Sequence, residues 1–273
     1  MSKQALYRSE ARRRERIEES KKFFEQADQI REEHPGAGCR GIAIDCKVKG
    51  RGRDKGEKLL LENGYRVETV PNPIRTTRSQ RQVNHPNRIE GLTVTGINQV
   101  VQTDLTYFRV GSRFYYVIFL IDVYSRYICG YTVSRSMHAK AYLRALEGML
   151  KFRGLVAGLI HHSDKGSQYT SAEYIKLLED NQIISSMCDA AWKNAYTERV
   201  NWTIKGEYLN RWDIRTYEEL ESSVAQAVLH YNTKRKHRSL QGWCPEDFET
   251  SVLKMPKSKR PVMRIYQEQT NNQ

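Results

Sequence analysis

Residues 100–134 read VVQTDLTYFRVGSRFYYVIFLIDVYSRYICGYTVS, and this stretch decides the fold. Three runs rich in β-branched and aromatic residues are separated by short turn sequences around Gly111 and Ser125. Runs of this composition and length predict strands, and the short separations predict that neighbouring strands pair as antiparallel hairpins. The sequence therefore predicts a three-stranded meander over these residues.

The chain beyond the meander alternates between helical and strand patterns. Short strands are predicted at GLIHHSD and ISSMC, and helices are predicted over residues 138–153, 171–182, 193–209 and 216–236. The last helix has apolar residues at a clear 3.6-residue period. Antiparallel strands followed by alternating helices and strands indicate an α/β fold with a mixed sheet flanked by helices.

Composition divides the chain into four regions. Residues 1–68 are predicted to be a basic helical region in which a long helix over 3–33 precedes a helix-turn-helix-like pattern, although a plain helical hairpin fits that pattern equally well. Residues 69–98 are rich in Pro and Arg and are predicted to be a linker. We assign residues 99–250 to the α/β core and residues 251–273 to a basic, flexible tail.

The charge of the chain points to a polyanionic partner. Lys and Arg number 45 against 32 Asp and Glu, which gives a net charge of +13. Such an excess favours nucleic acid or an anionic membrane. No apolar stretch is long enough to cross a membrane, so we expect a cytoplasmic location. The five cysteines include no CxxC pair, so neither a disulfide framework nor a zinc site is predicted.

Three acidic residues are the candidates for chemistry. Asp104 lies in VQTDLTYF, Asp164 lies in HHSDKGSQYTS, and Glu198 lies in KNAYTERVNWTIKGEYL. The first two belong to predicted strands and the third to a predicted helix. Carboxylates brought together from separate elements can hold two divalent ions about 4 Å apart, which clamp the attacking and leaving oxygens of a phosphodiester. The pattern predicts a site for two Mg²⁺ or Mn²⁺ ions.

Each acid also has a simpler structural interpretation. Asp104 lies too far inside its strand to cap the following turn, and a carboxylate that enters a core is costly unless it is paired or bound to a metal. Asp164 could cap the next helix, but Ser171 can do that. Glu198 could belong to an ordinary surface stripe, with Lys205 seven residues further on the same face.

Two further acids and one serine compete with these candidates. Asp122, in LIDVYSR, could be a fourth metal ligand or a salt-bridge partner of Arg126, and we favour a structural role. Glu207 lies about two and a half turns beyond Glu198 and is expected to point to a different face. Ser163 has two histidines beside it, but adjacent residues cannot form a catalytic triad without distant partners.

Taken together, five motifs resemble a known family. VQTDLTY, LIDVYSR, HSDKGSQYTS, NAYTERVNWTIKGEYL and YNTKRKHRSLQGWCPEDF resemble the retroviral-integrase-like transposases of bacterial insertion sequences, and in particular the second-frame catalytic product of elements with two overlapping frames. The resemblance covers roughly residues 35–250. It implies an RNase-H-like fold and a DDE triad formed by Asp104, Asp164 and Glu198.

Several basic residues are candidates for contacts with DNA. The resemblance places the family's basic residue, seven positions after the glutamate, at Lys205, and it places a C-terminal motif with a role in packing and DNA contact over residues 231–245. The candidates for DNA contact are Arg12, Arg13, Arg51, Arg53, Lys165, Lys205, Arg235 and His237. For the arginines of the first helix, a solvated and salt-bridged surface is at least as good an interpretation.

The activity implied is that of a metal-dependent polynucleotidyl transferase. Such an enzyme would cleave and join DNA strands at mobile-element ends by two-metal phosphodiester transfer. The expected partners are double-stranded DNA, as element ends and as target, other copies of the chain on DNA, and an upstream-frame protein. Two alternatives stay open, namely a nuclease of the same fold that only hydrolyses and a transposase-derived DNA-binding regulator without activity.

Overall fold

The computed structural model describes residues 3–46, 52–67, 85–188 and 194–265, which form two compact units. The first, here called the helical unit, consists of the described residues up to Asn72 together with Gly206–Trp212. The second, the sheet unit, contains the other described residues. Within the described ranges, no helix is long and apolar enough to cross a membrane.

The described part of the helical unit includes three α-helices: α1 (Lys3–Glu33), α2 (Cys39–Asp45) and α3 (Arg53–Glu62). The predicted long helix over 3–33 is confirmed. Only part of its apolar stripe packs, because Phe23 and Ala27 are buried while Ile17 is exposed. Phe23 and Ala27 share a small core with residues of α2 and α3 such as Ile42 and Leu60.

The segment Gly206–Trp212 packs within the helical unit. The His34 imidazole lies 2.8 Å from a carboxylate oxygen of Glu207 and stacks on the ring of Tyr208. The backbone N–H of Gly36 donates to the carbonyl oxygen of Glu207. A side chain at position 36 would place its Cβ 2.4 Å from the Cα of Glu207, so this close approach requires glycine.

The described elements of the sheet unit include β1 (Thr93–Val94), β2 (Val100–Val110), β3 (Arg113–Asp122), β4 (Ile128–Ser134), α4 (Ala139–Arg153), β5 (Ile160–Ser163), α5 (Ala172–Asp180), β6 (Ile184–Met187), α6 (Ala195–Thr203), α7 (Tyr217–Thr233), α8 (Pro245–Lys254) and β7 (Met263–Arg264). Five of these strands form a mixed sheet with the order β4-β3-β2-β5-β6. Strands β2, β3 and β4 are antiparallel, and β5 and β6 continue the sheet in parallel with β2. The predicted meander over 100–134 is confirmed.

The alternation of side chains along β2 and β3 separates two faces of this sheet. On one face, Val101, Ile118 and Leu120 form the largest core with α4 and α5. On the other face, Gln102 and Asp104 receive hydrogen bonds from Tyr196 and Asn201 of α6. Helices therefore cover both faces, as predicted for a mixed sheet in an α/β fold.

The regions predicted as linker and tail differ from the prediction where the structure describes them. Strand β1, inside the predicted linker, pairs with β7, inside the predicted tail. Ile89, Val94, Val252 and Ile265 are buried together in one core. Their burial orders residues 85–98 and 251–265 on the sheet unit, so these parts are neither linker nor flexible tail. The remaining residues of both regions lie outside the described ranges.

Candidate active site

The strand register brings Asp104 and Asp164 to the same edge of the sheet. Strands β2 and β5 pair in parallel up to Gln102 and His162, and each aspartate lies two residues beyond this last pair. Strand β5 ends at Ser163, whereas β2 continues to Val110 beside β3 alone. Asp104 thus lies just beyond the point where β5 stops pairing with β2, so the side of β2 next to Asp104 is no longer covered by β5.

The backbone around Asp164 is shaped by the glycine two residues later. The N–H of Gly166 donates to Oδ1 of Asp164 over 3.1 Å. A Cβ at Gly166 would lie 3.0 Å from that oxygen and from the side-chain oxygen of Gln168, so glycine allows the tight turn. This bond favours the ionised carboxylate, but burial outweighs it and raises the pKa of Asp164.

Helix α6 carries Glu198 and is fixed to β2 by three hydrogen bonds. The Nδ2 of Asn194 donates to the carbonyl oxygen of Thr103, and the backbone N–H of Tyr196 donates to the side chain of Gln102. The Nδ2 of Asn201 donates to Oδ2 of Asp104 over 2.9 Å. These bonds set the position of the helix, whereas the Glu198 side chain itself is exposed in its first turn.

The three carboxylates interact electrostatically. Burial, followed by the charge of Asp164 and then that of Glu198, raises the pKa of Asp104 to about 8. Hydrogen bonds from the Leu105 backbone and from Asn201 oppose this rise. Burial and neighbouring like charges both disfavour the ionised form of a carboxylate, whereas a bound cation would favour it.

The donor set suits a hard divalent cation, since it consists of carboxylates alone. Among the described residues, no group of three or more His, Cys, Asp or Glu side chains is gathered closely enough to hold a metal ion. The residue types and their mutual repulsion therefore fit a cation, but the three side chains are not close enough together to coordinate one ion at the same time.

The two lysines predicted to contact DNA have distinct surroundings. Nζ of Lys205 lies 4.8 Å from the ring centre of Tyr107, and burial lowers its pKa. Lys165 follows Asp164 directly and is partly exposed. The predicted single helix over 193–209 is instead α6 followed by a π-helical turn over 204–208, so Lys205 lies in that turn rather than in regular α-helix.

The other predicted DNA contacts are divided between the two units. Arg12 and Arg13 are exposed on α1, and Arg53 at the start of α3 is paired with Asp54. Arg51 lies outside the described residues. Arg235 and His237 follow α7 and line a cavity on the side of α6 that faces away from Glu198.

Asp122 has the structural role that we favoured, but its partners differ from the prediction. Its carboxylate accepts hydrogen bonds from the backbone N–H groups of Asn98, Tyr124 and Ser125 and so organises the turn after β3. The guanidinium of Arg126 donates instead to the carbonyl oxygen of Val123 and to the sulfur of Met263, so no Asp122–Arg126 salt bridge forms.

Sequence reasoning missed Asn201 and the other polar residues that attach α6 to β2. The available signal was the spacing, because Asn201 lies three residues after Glu198 and so on the same face of one helix. Gln102 is buried inside an otherwise apolar strand, two residues before Asp104, which was a second signal.

Comparison with known proteins places the sheet unit in a family. Residues 95–191 match one integrase core domain model and residues 182–245 match another. The transposase of the insertion sequence element IS629 from Shigella sonnei is 34% identical over 165 residues, which are 59% of this chain and 55% of that protein. The transposase of IS904 from Lactococcus lactis is 32% identical over 176 residues, covering 63% of this chain and 70% of that protein.

The solved structures that are similar to this chain include the HTLV-2 integrase catalytic core domain in complex with magnesium. It is 16% identical, with a TM-score of 0.47, and the match covers 60% of this chain and 99% of that one. The strand order and the family matches define an integrase core domain with an RNase-H-like fold, as the sequence resemblance implied. The chain belongs to the insertion-sequence transposases of the retroviral-integrase-like superfamily. It spans about half the length of the IS629 relative.

Proposed function

We propose that the chain is a DNA transposase that cleaves and joins DNA strands at the ends of a mobile element. Asp104, Asp164 and Glu198 are its catalytic carboxylates. The observation that carries this proposal is geometric: Asp104 and Asp164 each lie two residues beyond the last parallel pair of β2 and β5, and the helix that carries Glu198 donates to Asp104 through Asn201. The raised pKa of Asp104, caused first by burial and then by the neighbouring acids, supports the same assignment. Membership of the insertion-sequence transposase family supports the same reaction class.

The three carboxylates would hold two Mg²⁺ or Mn²⁺ ions. Bound there, two divalent ions activate the attacking hydroxyl and stabilise the leaving oxygen of a phosphodiester in an in-line displacement. Asn201 and the Leu105 backbone orient the Asp104 carboxylate by donating hydrogen bonds to it. Lys205, seven residues after Glu198, would neutralise a DNA phosphate.

Strand joining distinguishes this function from simpler ones. The assay follows a labelled DNA end in Mg²⁺ and compares the wild-type protein with Glu198→Gln. We expect joined products from the wild type and none from the variant, with DNA binding unchanged. The matched control is Glu207→Gln. Glu207 lies nine residues after Glu198, and its carboxylate contacts His34, so this variant is expected to stay active.

The outcomes separate the candidate functions. Cleavage without joining, in the presence of free 3′-hydroxyl ends, would identify a hydrolytic nuclease of the same fold. DNA binding without cleavage by the wild type would indicate a regulator, or a chain that needs an upstream-frame partner. Activity of Glu198→Gln would remove Glu198 from the triad. Because two element ends must be brought together, the proposal also includes an oligomer assembled on double-stranded DNA.

A further inference from the structure

A second candidate site, with a basic lining, lies on the face of α6 that points away from the acids. Tyr196, Arg199 and Thr203 of this helix line a cavity of about 700 Å³. They follow one another at spacings of three and four residues, as Glu198 and Asn201 do on the other face. At 100° per residue, the two faces point in opposite directions. One short helix therefore separates the carboxylates from this cavity.

The lining of the cavity is strongly cationic. It includes five side chains with permanent positive charge and one histidine, namely Arg126, Arg199, Arg235, Lys236, Arg238 and His237. None of the described residues that line it is acidic. Tyr196, Thr203, Tyr231 and Ser239 add hydroxyl groups. Guanidinium groups bind phosphate oxygens through two parallel hydrogen bonds, and hydroxyls can complete the coordination of the same anion.

The turn after β3 holds Arg126 in the cavity. Its backbone has a φ of 63°, a conformation that non-glycine residues rarely adopt. The Asp122 carbonyl accepts the N–H of Arg126 over 2.8 Å and so fixes this conformation. The guanidinium lies 4.0 Å from the ring centre of Tyr196, and burial lowers its pKa. A strained and partly buried cation is thus held in place by the fold.

The opposite wall is equally well defined. Asn232 pins the end of α7 to β4 by exchanging two hydrogen bonds with the backbone of Ile128. The buried rings of Tyr231 and His237 pack edge to face at 4.8 Å, and Arg235 lies beside both. His237 also bridges through its backbone to Trp243. The cationic residues after α7 therefore start from a fixed frame rather than from a loose loop.

We propose that this cavity binds backbone phosphates of a DNA strand, so that α6 contacts DNA on two opposite faces. The inference rests on the proposed function for the identity of the polymer, but the binding itself needs no catalysis. Because an α-helix with its side chains is about 10–12 Å across, a strand in the cavity is separated from the acids by the width of α6. The cavity volume of about 700 Å³ lies within the usual range of small-molecule binding pockets.

The test measures the salt dependence of DNA binding. Arg199 and Arg238 are exposed, so the double variant Arg199→Gln/Arg238→Gln should fold normally. Its dissociation constant for a short fluorescein-labelled DNA duplex is measured by anisotropy between about 50 and 200 mM salt. Removing the neutralisation of one phosphate is expected to reduce the slope of log K against log salt by about 0.9, so the double variant should show a slope smaller by about one to two units.

The control removes two equivalent charges from the other face of the sheet. Lys140→Gln/Arg144→Gln alters two exposed residues of α4 and is expected to leave the slope unchanged. An unchanged slope in the Arg199→Gln/Arg238→Gln variant would overturn the proposal, and so would an equal reduction in both double variants. If inorganic phosphate stabilises the wild type more than the cavity variant while the DNA slopes agree, the cavity takes free phosphate and not a strand.

Failure of this proposal is distinguishable from failure of the proposed function. Asp104→Asn should abolish strand joining and keep the full salt slope, since Asp104 does not line the cavity. A wild type that joins no strands, but whose slope falls on mutation of the cavity, supports the cavity and not the transposase activity. Strand joining together with identical slopes for all variants supports the activity and overturns the cavity.

Discussion

Replacing Asp104 with asparagine is expected to stabilise the metal-free protein at neutral pH. Burial and the neighbouring acids raise the pKa of Asp104 to about 8, from an ordinary value of 3.8. Between these two values the folded protein keeps a proton that the unfolded chain releases, so stability falls as the pH rises from about 4 to about 8. From the ordinary pKa of Asp104 to pH 7 is about three pH units, so the loss of unfolding free energy at pH 7 is up to about 4 kcal/mol. Asparagine is uncharged throughout and avoids this cost.

The measurement is urea unfolding of the wild type and Asp104→Asn in EDTA at pH 5 and pH 8. The stability difference in favour of the variant should widen with pH and should exceed about 1 kcal/mol at pH 8. Added Mg²⁺ should stabilise the wild type, because a ligand that binds only the folded state shifts the folding equilibrium. The variant lacks one of the proposed ligands and should respond much less.

Asp122→Asn is the matched control, and the opposite sign is expected. Asp122 is also buried, and burial raises its pKa, but both of its oxygens face backbone N–H groups, including that of Asn98 at 2.6 Å. An asparagine must turn its own NH₂ group towards one of these donors, which removes a hydrogen bond at a cost of about 1–3 kcal/mol. If Asp104→Asn is as destabilising as Asp122→Asn at pH 8 in EDTA, Asp104 is a structural carboxylate and the argument fails.

Two further predictions concern packing and a buried ion pair, and urea unfolding tests both. Gly130→Ala would place a Cβ 2.6 Å from a carbonyl oxygen of α4 and should destabilise by about 1–3 kcal/mol, whereas Gly148→Ala on α4 meets no atom within 4 Å and should stabilise by up to about 1 kcal/mol. Glu249→Gln leaves the buried Arg153 without its carboxylate and should cost about 3–5 kcal/mol, whereas Glu218→Gln breaks an exposed pair and should cost less than about 1 kcal/mol. Equal effects within either pair of variants would contradict the packing or the burial on which the prediction depends.

The sheet was predictable because its signal is local. The runs over 100–134 carry β-branched and aromatic residues at strand length, and the turns between them are short. The later alternation of helices and short strands was equally visible, and the observed order of elements agrees with it. Each of these predictions needed only residues that are neighbours in the sequence.

The differences arise where partners are distant in sequence. Strands β1 and β7 have only two residues each, which is too short for a periodic pattern. They also lie near opposite ends of the sheet unit in the sequence, so no local signal could reveal their pairing. The basic cavity depends on the approach of Arg126, Arg199 and the residues after α7, which come from three separate elements. Arg235 and His237 were candidates from the motif, but the sequence did not reveal that they share a cavity with Arg199.

The Asp104 side of the sheet contains a carboxylate that the stability of the fold does not require. In the metal-free protein, burial of the Asp104 carboxylate costs folding free energy, so the folding of the sheet does not explain why an acid lies there. The bond from Asn201 offsets part of that cost and at the same time fixes the helix that carries Glu198. A carboxylate that destabilises the metal-free fold, and that receives one oriented donor from the helix bearing the third acid, is the arrangement expected of a site completed by a bound cation. The stability of Asp104→Asn in EDTA and in Mg²⁺ therefore tests both the electrostatic argument and the proposed triad.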